Sequence, residues 1–181
     1  MSSRKLNRRK PVRKARGRIV LVLGGAASGK SEYALGIAGP RGPRAFVATG
    51  QGLDEEMAMR IARHRATRSA DWETVEVPIE LEQWFVTSGS HYRTILFDCV
   101  TLWLSNLIGA QVKEPDIYTR VAACMNVMRT TSARVVIVMG LVPAEPSTRG
   151  FRDLAGRVNQ LIAGTADEVY LVVSGIPLRL K

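Results

Sequence analysis

Eight consecutive residues near the start of the chain form a pattern that binds phosphate groups. Gly24-Gly25-Ala26-Ala27-Ser28-Gly29-Lys30-Ser31 matches G-x-x-x-x-G-K-[ST] at every position. In this pattern backbone N–H groups wrap the phosphates, the lysine reaches the β- and γ-phosphates, and the last hydroxyl binds Mg²⁺. An apolar run, Ile19–Leu23, precedes the motif, and a helical stretch begins at Ser31. This strand–loop–helix setting predicts a nucleotide site in which Lys30 is catalytic and Ser31 binds the metal.

Asp98 is the acidic residue that best matches this loop. It ends the apolar run Thr94–Phe97, so its carboxylate is expected at the carboxyl edge of a sheet, beside the phosphate loop. There it would hold Mg²⁺ directly or through water, which makes Asp98 the second predicted metal residue. The alternative interpretation is an N-cap for the helix that starts near Leu102.

His64 is the candidate nucleophile. It shares one helix face with Met57 and Ile61, and on such a face a histidine is usually an ordinary packing or surface residue. Its surroundings favour chemistry instead, because nearby arginines suit a phosphoryl group and favour the neutral imidazole. These arginines are Arg60, Arg63, Arg65 and Arg68. The other histidine, His91, is predicted to be a solvated loop residue.

The elements that must position these residues alternate between short strands and helices. Apolar runs of strand length occur at Ile19–Leu23, Ala45–Ala48, Val75–Val77, Thr94–Phe97, Val135–Met139 and Val169–Val173. Helical spacing occurs at Ser31–Ala38, Leu53–Ala66, Leu102–Leu107, Ile117–Met128 and Phe151–Ala163. Fully apolar strands separated by helices predict an α/β fold with a mostly parallel central sheet flanked by helices.

The composition is that of one globular domain. Of the 181 residues, 46% are hydrophobic and 23% charged, which excludes a globally disordered chain. No apolar run approaches the ~20 residues of a transmembrane helix. Cys99 and Cys124 are too far apart in sequence for a metal-binding or redox motif, and the simplest compartment for such a chain is the cytoplasm.

Most of the net charge of +10 belongs to the N-terminus. Nine of the 26 Lys and Arg residues, and none of the 16 acidic residues, lie in residues 1–18. Like charges repel and little apolar surface is present there, so residues 1–18 are predicted to be a disordered tail before a domain at 19–181. Such a tail binds RNA, DNA or anionic lipid weakly, or is simply a solvated extension.

Several further blocks, collinear from about residue 19 to the C-terminus, resemble one enzyme family. The blocks are Gly24–Ser31, Ala48–Gln51, Asp54–Met57, Arg60–Arg65, Arg68, Trp72, Asp98–Leu107, Phe151–Gln160, Ala166–Val169 and Val172–Ile176. Together they resemble the bifunctional adenosylcobinamide kinase/adenosylcobinamide-phosphate guanylyltransferases of cobalamin biosynthesis. The segment around His64 and the block Phe151–Gln160 are the most specific parts.

This resemblance implies two reactions on a RecA-like P-loop NTPase fold assembled as a homotrimer. Adenosylcobinamide is phosphorylated by GTP or ATP with Mg²⁺, and GMP then passes from GTP to adenosylcobinamide phosphate. His64 is the implied covalent carrier of GMP. The implied nucleotide contacts are the loop Gly24–Ser31 together with Thr49, Gly50, Gln51, Arg65, Ala66, Thr67, Arg68, Glu76 and Asp98.

Two departures from the family pattern affect the expected activity. Ala27 stands where the family usually has arginine, so one positive group near the phosphates is missing. Val135–Met139 also runs almost directly into Gly140–Pro143, about five residues shorter than the family pattern. Because that loop lies near the active site in the family, we expect the kinase activity to be weakened.

Two other functions fit parts of the sequence. A P-loop small-molecule kinase without guanylyl transfer would need the phosphate loop and not His64. A nucleotide-binding protein whose basic tail binds nucleic acid would need residues 1–18.

Within the helix Phe151–Ala163, Asp153 and Arg157 could pair on the surface, or Arg157 could approach a phosphate.

Overall fold

A single seven-stranded sheet organises the chain in the computed structural model. The structure describes residues 16–52, 69–142 and 149–181, together with Glu55, Met59, Ala62 and Arg65. The strands are β1 (Arg18–Gly24), β2 (Arg44–Ala48), β3 (Trp72–Glu76), β4 (Thr94–Asp98), β5 (Arg134–Gly140), β6 (Glu168–Val173) and β7 (Ile176–Arg179). Their order across the sheet is β3-β2-β4-β5-β1-β6-β7.

All neighbouring strands run parallel except β6 and β7, which are antiparallel. The carboxyl ends of β1 to β6 therefore meet at one edge of the sheet. Strand β5 lies between β1 and β4, with Gly24 opposite Gly140 and Asp98 opposite Val138. This order places the loop after β1 and the acid that ends β4 on the same edge, one strand apart.

Five helices connect the described strands. They are α1 (Lys30–Ala38), α2 (Leu81–Ser88), α3 (Val100–Gly109), α4 (Glu114–Thr130) and α5 (Arg149–Thr165), with a short 3-10 turn at Gly89–His91. The first turn of helix α4 contains Pro115 and two acidic residues, which suits the free N–H groups there. Glu55, Met59, Ala62 and Arg65 are also helical, within the predicted helix Leu53–Ala66.

The strands are apolar along their whole length because both faces of the sheet are covered. Alternate residues of β1, such as Ile19 and Leu21, pack with α2, α3, α4 and α5 in the larger core. The residues between them, Val20 and Val22, face Ala34 and other residues of α1 in a smaller core. Two covered faces explain why the strands read as continuous hydrophobic runs.

Contacts at the edge of the sheet opposite the phosphate loop hold the start of β1 in place. Arg18 forms an ion pair of 2.8 Å with the buried carboxylate of Glu168. The N–H of Gly17 donates to the carbonyl of Arg129. Burial raises the pKa of Glu168, but the hydrogen bond from Tyr170 and the charge of Arg18 together hold that pKa below its ordinary value. The ordered fold therefore includes residues just before Ile19.

Two elements were not predicted from the sequence. Helix α2 has only eight residues, too few for a clear helical period. Strand β7 contains Pro177, which argues against a strand, but β7 is an edge strand and tolerates it. Within the described ranges, no helix is long and apolar enough to cross a membrane.

Candidate nucleotide and magnesium site

The phosphate loop connects β1 to α1 in the predicted way. Gly24 ends β1, and Gly29 has φ +87°, a left-handed conformation that favours glycine, immediately before α1. Lys30 is the first residue of α1, and its Nζ donates to the carbonyl of Gly25 at 3.1 Å. The ammonium group therefore lies over the loop, where it can meet the phosphates of a bound nucleotide.

The turn between β6 and β7 packs against the phosphate loop. Ser174 and Gly175 both have positive φ, +52° and +80°, and form a two-residue turn between the strands. The N–H of Gly175 donates to the carbonyl of Ser28 at 2.9 Å. A Cβ atom added to Gly29 would lie 3.1 Å from the Cα of Gly175. The conformation of the phosphate loop therefore depends on close packing of its backbone against the backbone of Gly175.

We expect Gly29→Ala to weaken nucleotide binding through this packing. The left-handed conformation costs an L-residue roughly 1–2 kcal/mol, and the added methyl group presses on the Gly175 backbone. Gly39→Ala is the matched control, because Gly39 has φ +78° at the other end of α1 and no atom within 4 Å of its added Cβ. Equal nucleotide affinities of the two variants, measured by titration calorimetry, would contradict a role for this contact.

Asp98 and Lys30 come close together across β5. Both charges act on the same buried thiol of Cys99. Burial and, to a lesser extent, the Asp98 carboxylate raise the pKa of Cys99 to about 11, although the charge of Lys30 opposes the rise. Asp98 is half-buried, and Cys99, not Asp98, is the N-cap of α3, so the capping interpretation of Asp98 is wrong. Asp98 ends β4 at the carboxyl edge of the sheet, where the metal interpretation places it.

The donor groups at this edge fit Mg²⁺. The carboxylate of Asp98 and the hydroxyl of Ser31, in the first turn of α1, are hard oxygen donors of the kind that Mg²⁺ prefers. No cluster of three or more His, Cys, Asp or Glu side chains suited to a metal occurs among the described residues. A magnesium ion held mainly by nucleotide phosphates and waters needs only one or two protein ligands, so the set suffices.

Thr101 fastens the end of β5 beside this site. Its Oγ1 accepts from the N–H of Gly140 at 2.9 Å and donates to the carbonyl of Gly140 at 3.1 Å. A Cβ atom on Gly140 would lie 3.2 Å from Thr101 Oγ1 and 4.0 Å from Cε of Lys30. Glycine at this position leaves room for both side chains, and α3 is thereby joined to the strand between β1 and β4.

Comparison with known sequences identifies the family. The family described as cobinamide kinase / cobinamide phosphate guanyltransferase matches residues 20–180. The chain belongs to this family. It is 39% identical over 185 residues to the bifunctional adenosylcobalamin biosynthesis protein CobU of Escherichia coli (strain K12), covering 90% of this chain and 99% of that protein. It is 36% identical over 167 residues to the CobP protein of Pseudomonas aeruginosa, covering 89% and 96%.

Membership of the kinase/guanyltransferase family makes the chain a transferase of cobalamin biosynthesis. The resemblance inferred from the sequence is thereby confirmed. Among solved structures, the KaiC-like protein PH0186 of Pyrococcus horikoshii OT3 is similar with a TM-score of 0.53, 13% identity and coverage of 86% of this chain and 71% of that one. The RadB recombinase is similar with a TM-score of 0.50, 17% identity and coverage of 87% and 74%. These likenesses confirm the RecA-like P-loop NTPase fold.

The remaining predicted nucleotide contacts differ in their burial, and some of them lie outside the described residues. Thr49 is buried against the backbone of Cys99, Gly50 is half-buried, and Gln51 is exposed. Glu76 is exposed at the end of β3, and Arg65 is exposed on its helix. Four predicted site residues lie outside the described residues: His64, Ala66, Thr67 and Arg68. Their roles, and those of the contacts named here, stay predictions.

Three residues near the site belong to blocks that carry the family resemblance but were not predicted as site residues. Thr101, Asn106 and Gly175 hold the loops together by hydrogen bonds to distant backbone groups, which no local pattern reveals. The Ser174-Gly175 pair between two β-rich runs is the one usable signal, since such pairs favour tight hairpin turns. Away from the site, Arg157 forms an ion pair with Glu114 on α4 at 3.2 Å, so its surface partner is not Asp153.

Proposed function

We propose that this chain carries out both reactions of its family. It phosphorylates adenosylcobinamide with a nucleoside triphosphate, then transfers GMP from GTP to adenosylcobinamide phosphate to give adenosylcobinamide-GDP and pyrophosphate. We propose a cytoplasmic location, which is consistent with the use of nucleoside triphosphates as substrates. The observation that carries the proposal is the phosphate loop with Lys30 and Asp98 at one sheet edge, in a chain 39% identical to a bifunctional relative over nearly its whole length.

In the kinase reaction the chain acts mainly by positioning and by charge. The hydroxyl of the substrate's aminopropanol arm attacks the γ-phosphorus, the bond to the nucleoside diphosphate breaks, and the hydroxyl proton is released. Lys30, the N–H groups of the loop and the N-terminus of α1 stabilise the negative charge that spreads over the transferred phosphoryl group. Ser31 and Asp98 would hold Mg²⁺, which neutralises phosphate charge when bound.

In the guanylyl transfer we assign the nucleophile to His64. A nitrogen of its neutral imidazole attacks the α-phosphorus of GTP, and the bond to pyrophosphate breaks. A phosphate oxygen of adenosylcobinamide phosphate then attacks the same phosphorus and releases the imidazole. The support is the family resemblance of the segment around His64 and the arginines beside it in the sequence, including Arg65.

The direct test is to incubate the full chain with adenosylcobinamide, GTP and Mg²⁺, and to separate the products by mass. Both adenosylcobinamide phosphate and adenosylcobinamide-GDP are expected. Formation of the phosphate alone would favour a kinase without guanylyl transfer. If neither product forms, supplying adenosylcobinamide phosphate directly shows whether only the kinase has been lost through Ala27 and the shortened segment after Met139.

We also propose that the chain self-associates, as a homotrimer, through the uncovered face of β6 and β7. Val173 lies opposite Ile176 and Leu171 opposite Leu178, so these side chains project from one face of the sheet. Val173, Ile176, Leu178 and Leu180 are all more than half exposed. A contiguous aliphatic face on an edge strand is typical of a protein–protein contact.

Replacing Leu178 by aspartate is expected to dissociate the assembly. A charge at the centre of an apolar contact is desolvated without a partner, whereas the same change on an exposed monomer surface alters stability little. Val86→Asp is the matched control, because Val86 is equally exposed on α2. Molar mass from light scattering is the measurement, and an unchanged mass of Leu178→Asp would place the contact elsewhere.

Removing residues 1–15 is expected to leave turnover and thermal stability unchanged. The described fold begins near Arg16, Gly17 bonds to Arg129, and Arg18 pairs with Glu168, so the chain should be cut before these contacts. Weak binding to RNA or to anionic vesicles should disappear in the same truncated chain. A folded truncated chain with lower kcat would show that the tail takes part in catalysis.

A further inference from the structure

Thr49 makes contacts that differ from those of a nucleotide ligand. It follows β2 at the carboxyl edge and is completely buried. Its Oγ1 donates to the carbonyl of Cys99 at 2.8 Å and accepts from the N–H of Cys99 at 3.0 Å. Its own N–H donates to the carbonyl of Asp98. The hydroxyl proton of Thr49 therefore bonds to the backbone carbonyl of Cys99, the residue that follows Asp98, and not to a nucleotide.

Asn106 extends this contact to a third loop. Its side-chain nitrogen donates to the carbonyl of Thr49 at 2.8 Å and to the carbonyl of Pro78 at 2.9 Å. Both amide protons are thereby used. The Asn106 side chain therefore connects the segment after β2 with the segment after β3. Thr49 in turn connects the segment after β2 with Cys99, the residue that follows β4.

Strand pairing with β2 and β5 holds the backbone as far as Asp98, and the chain leaves the sheet at Cys99. Cys99 is extended, with φ −144° and ψ 160°, and its own side chain makes no capping hydrogen bond to α3. Both backbone polar groups of Cys99 are bonded to the Thr49 hydroxyl, and its carbonyl also accepts from the N–H of Trp103. Because Asp98 adjoins Cys99, a shift of the Cys99 backbone would also move Asp98.

We propose that Thr49 and Asn106 are positioning residues that hold Asp98 in place for Mg²⁺ at the nucleotide phosphates. This inference rests on the proposed function, in which Asp98 serves the metal. It assigns the side chain of Thr49 to the protein backbone rather than to the nucleotide, and it gives Asn106 a role at a site that it does not touch. Groups that orient a metal ligand affect metal affinity although they do not contact the ion.

The test separates the two roles of Thr49 by measuring GTP affinity with and without Mg²⁺. In Thr49→Val, the affinity for GTP in EDTA should equal that of the wild type, because no nucleotide contact is lost. The Mg²⁺ concentration that gives half of the affinity gain should rise about tenfold, the effect typical of losing an orienting group. Thr49→Ser, which keeps the hydroxyl, should restore the wild-type Mg²⁺ response.

Thr94→Val is the matched control. Thr94 is equally buried at the other end of β4, and its hydroxyl donates to the carbonyl of Arg41 at 2.9 Å. It should lose stability without a change in Mg²⁺ response. If Thr49→Val does not fold, Asn106→Ala tests the same network from a half-buried position, and its Mg²⁺ response should shift in the same direction.

Two results would overturn the inference while leaving the proposed function intact. A loss of GTP affinity in EDTA would make Thr49 a nucleotide contact. An unshifted Mg²⁺ response in a folded Thr49→Val or Asn106→Ala chain would make the network merely structural. A wild-type chain whose GTP affinity does not respond to Mg²⁺ would contradict the role of Asp98 in the proposed function, and this inference with it.

Discussion

Lys30→Ala is expected to abolish measurable phosphorylation of adenosylcobinamide and to weaken GTP binding. Lys30 starts α1 and holds its ammonium group over the loop, 3.1 Å from the carbonyl of Gly25. Removing one preorganised group that stabilises transition-state charge typically lowers kcat by about 10²–10³-fold. Alanine keeps the helix intact because it is the best helix former. Steady-state kinetics and calorimetric titration with GTP measure the two effects.

Lys181→Ala is the control for the loss of a lysine as such. Its Nζ donates to the carbonyls of Ala163 and Gly164 at the end of α5, on the edge of the sheet away from the loop. This variant should keep the wild-type kcat and GTP affinity. If Lys30→Ala also kept both, the loop would not be the triphosphate site, and the proposed kinase reaction would have to occur elsewhere.

His64→Ala is expected to separate the two activities. If His64 carries GMP, the variant loses the covalent intermediate, and guanylyl transfer should fall by at least about 10³-fold, as when a catalytic nucleophile is removed. Phosphorylation of adenosylcobinamide uses the phosphate loop and should persist. After incubation with GTP and Mg²⁺, intact-protein mass spectrometry should show one added GMP on the wild type and none on the variant.

The chain offers an internal control in its other histidine. His91 ends the short 3-10 turn after α2 and is exposed. His91→Ala should therefore form the GMP adduct as the wild type does. The adduct should also be acid-labile, as expected for a phosphorus–nitrogen bond. A GMP adduct that persists in His64→Ala would place the nucleophile on another residue, and would leave His64 as an ordinary helix residue.

Local sequence patterns predicted most of the strands and helices, because hydrophobic periodicity and the conformations open to glycine act over a few neighbouring residues. The strand Ile19–Leu23, the loop after it and the helix to Ala38 follow from apolar runs and glycine placement, and the structure confirms them with shifts of one residue. Helix α2 and strand β7 were missed because an eight-residue helix and a proline-containing edge strand have weak signals. The position of β7 against β6 depends on a turn whose conformation is stabilised by contact with the phosphate loop.

The sequence by itself determined the α/β class, the phosphate loop and the family, since each depends on residue types at fixed spacing. Only the tertiary structure decided the strand order, which places β5 between β1 and β4 and brings Lys30 near Asp98. It also decided that the Thr49 hydroxyl binds the backbone of Cys99. Contacts between residues some fifty positions apart depend on how the strands assemble, and no local spacing in the sequence encodes that arrangement.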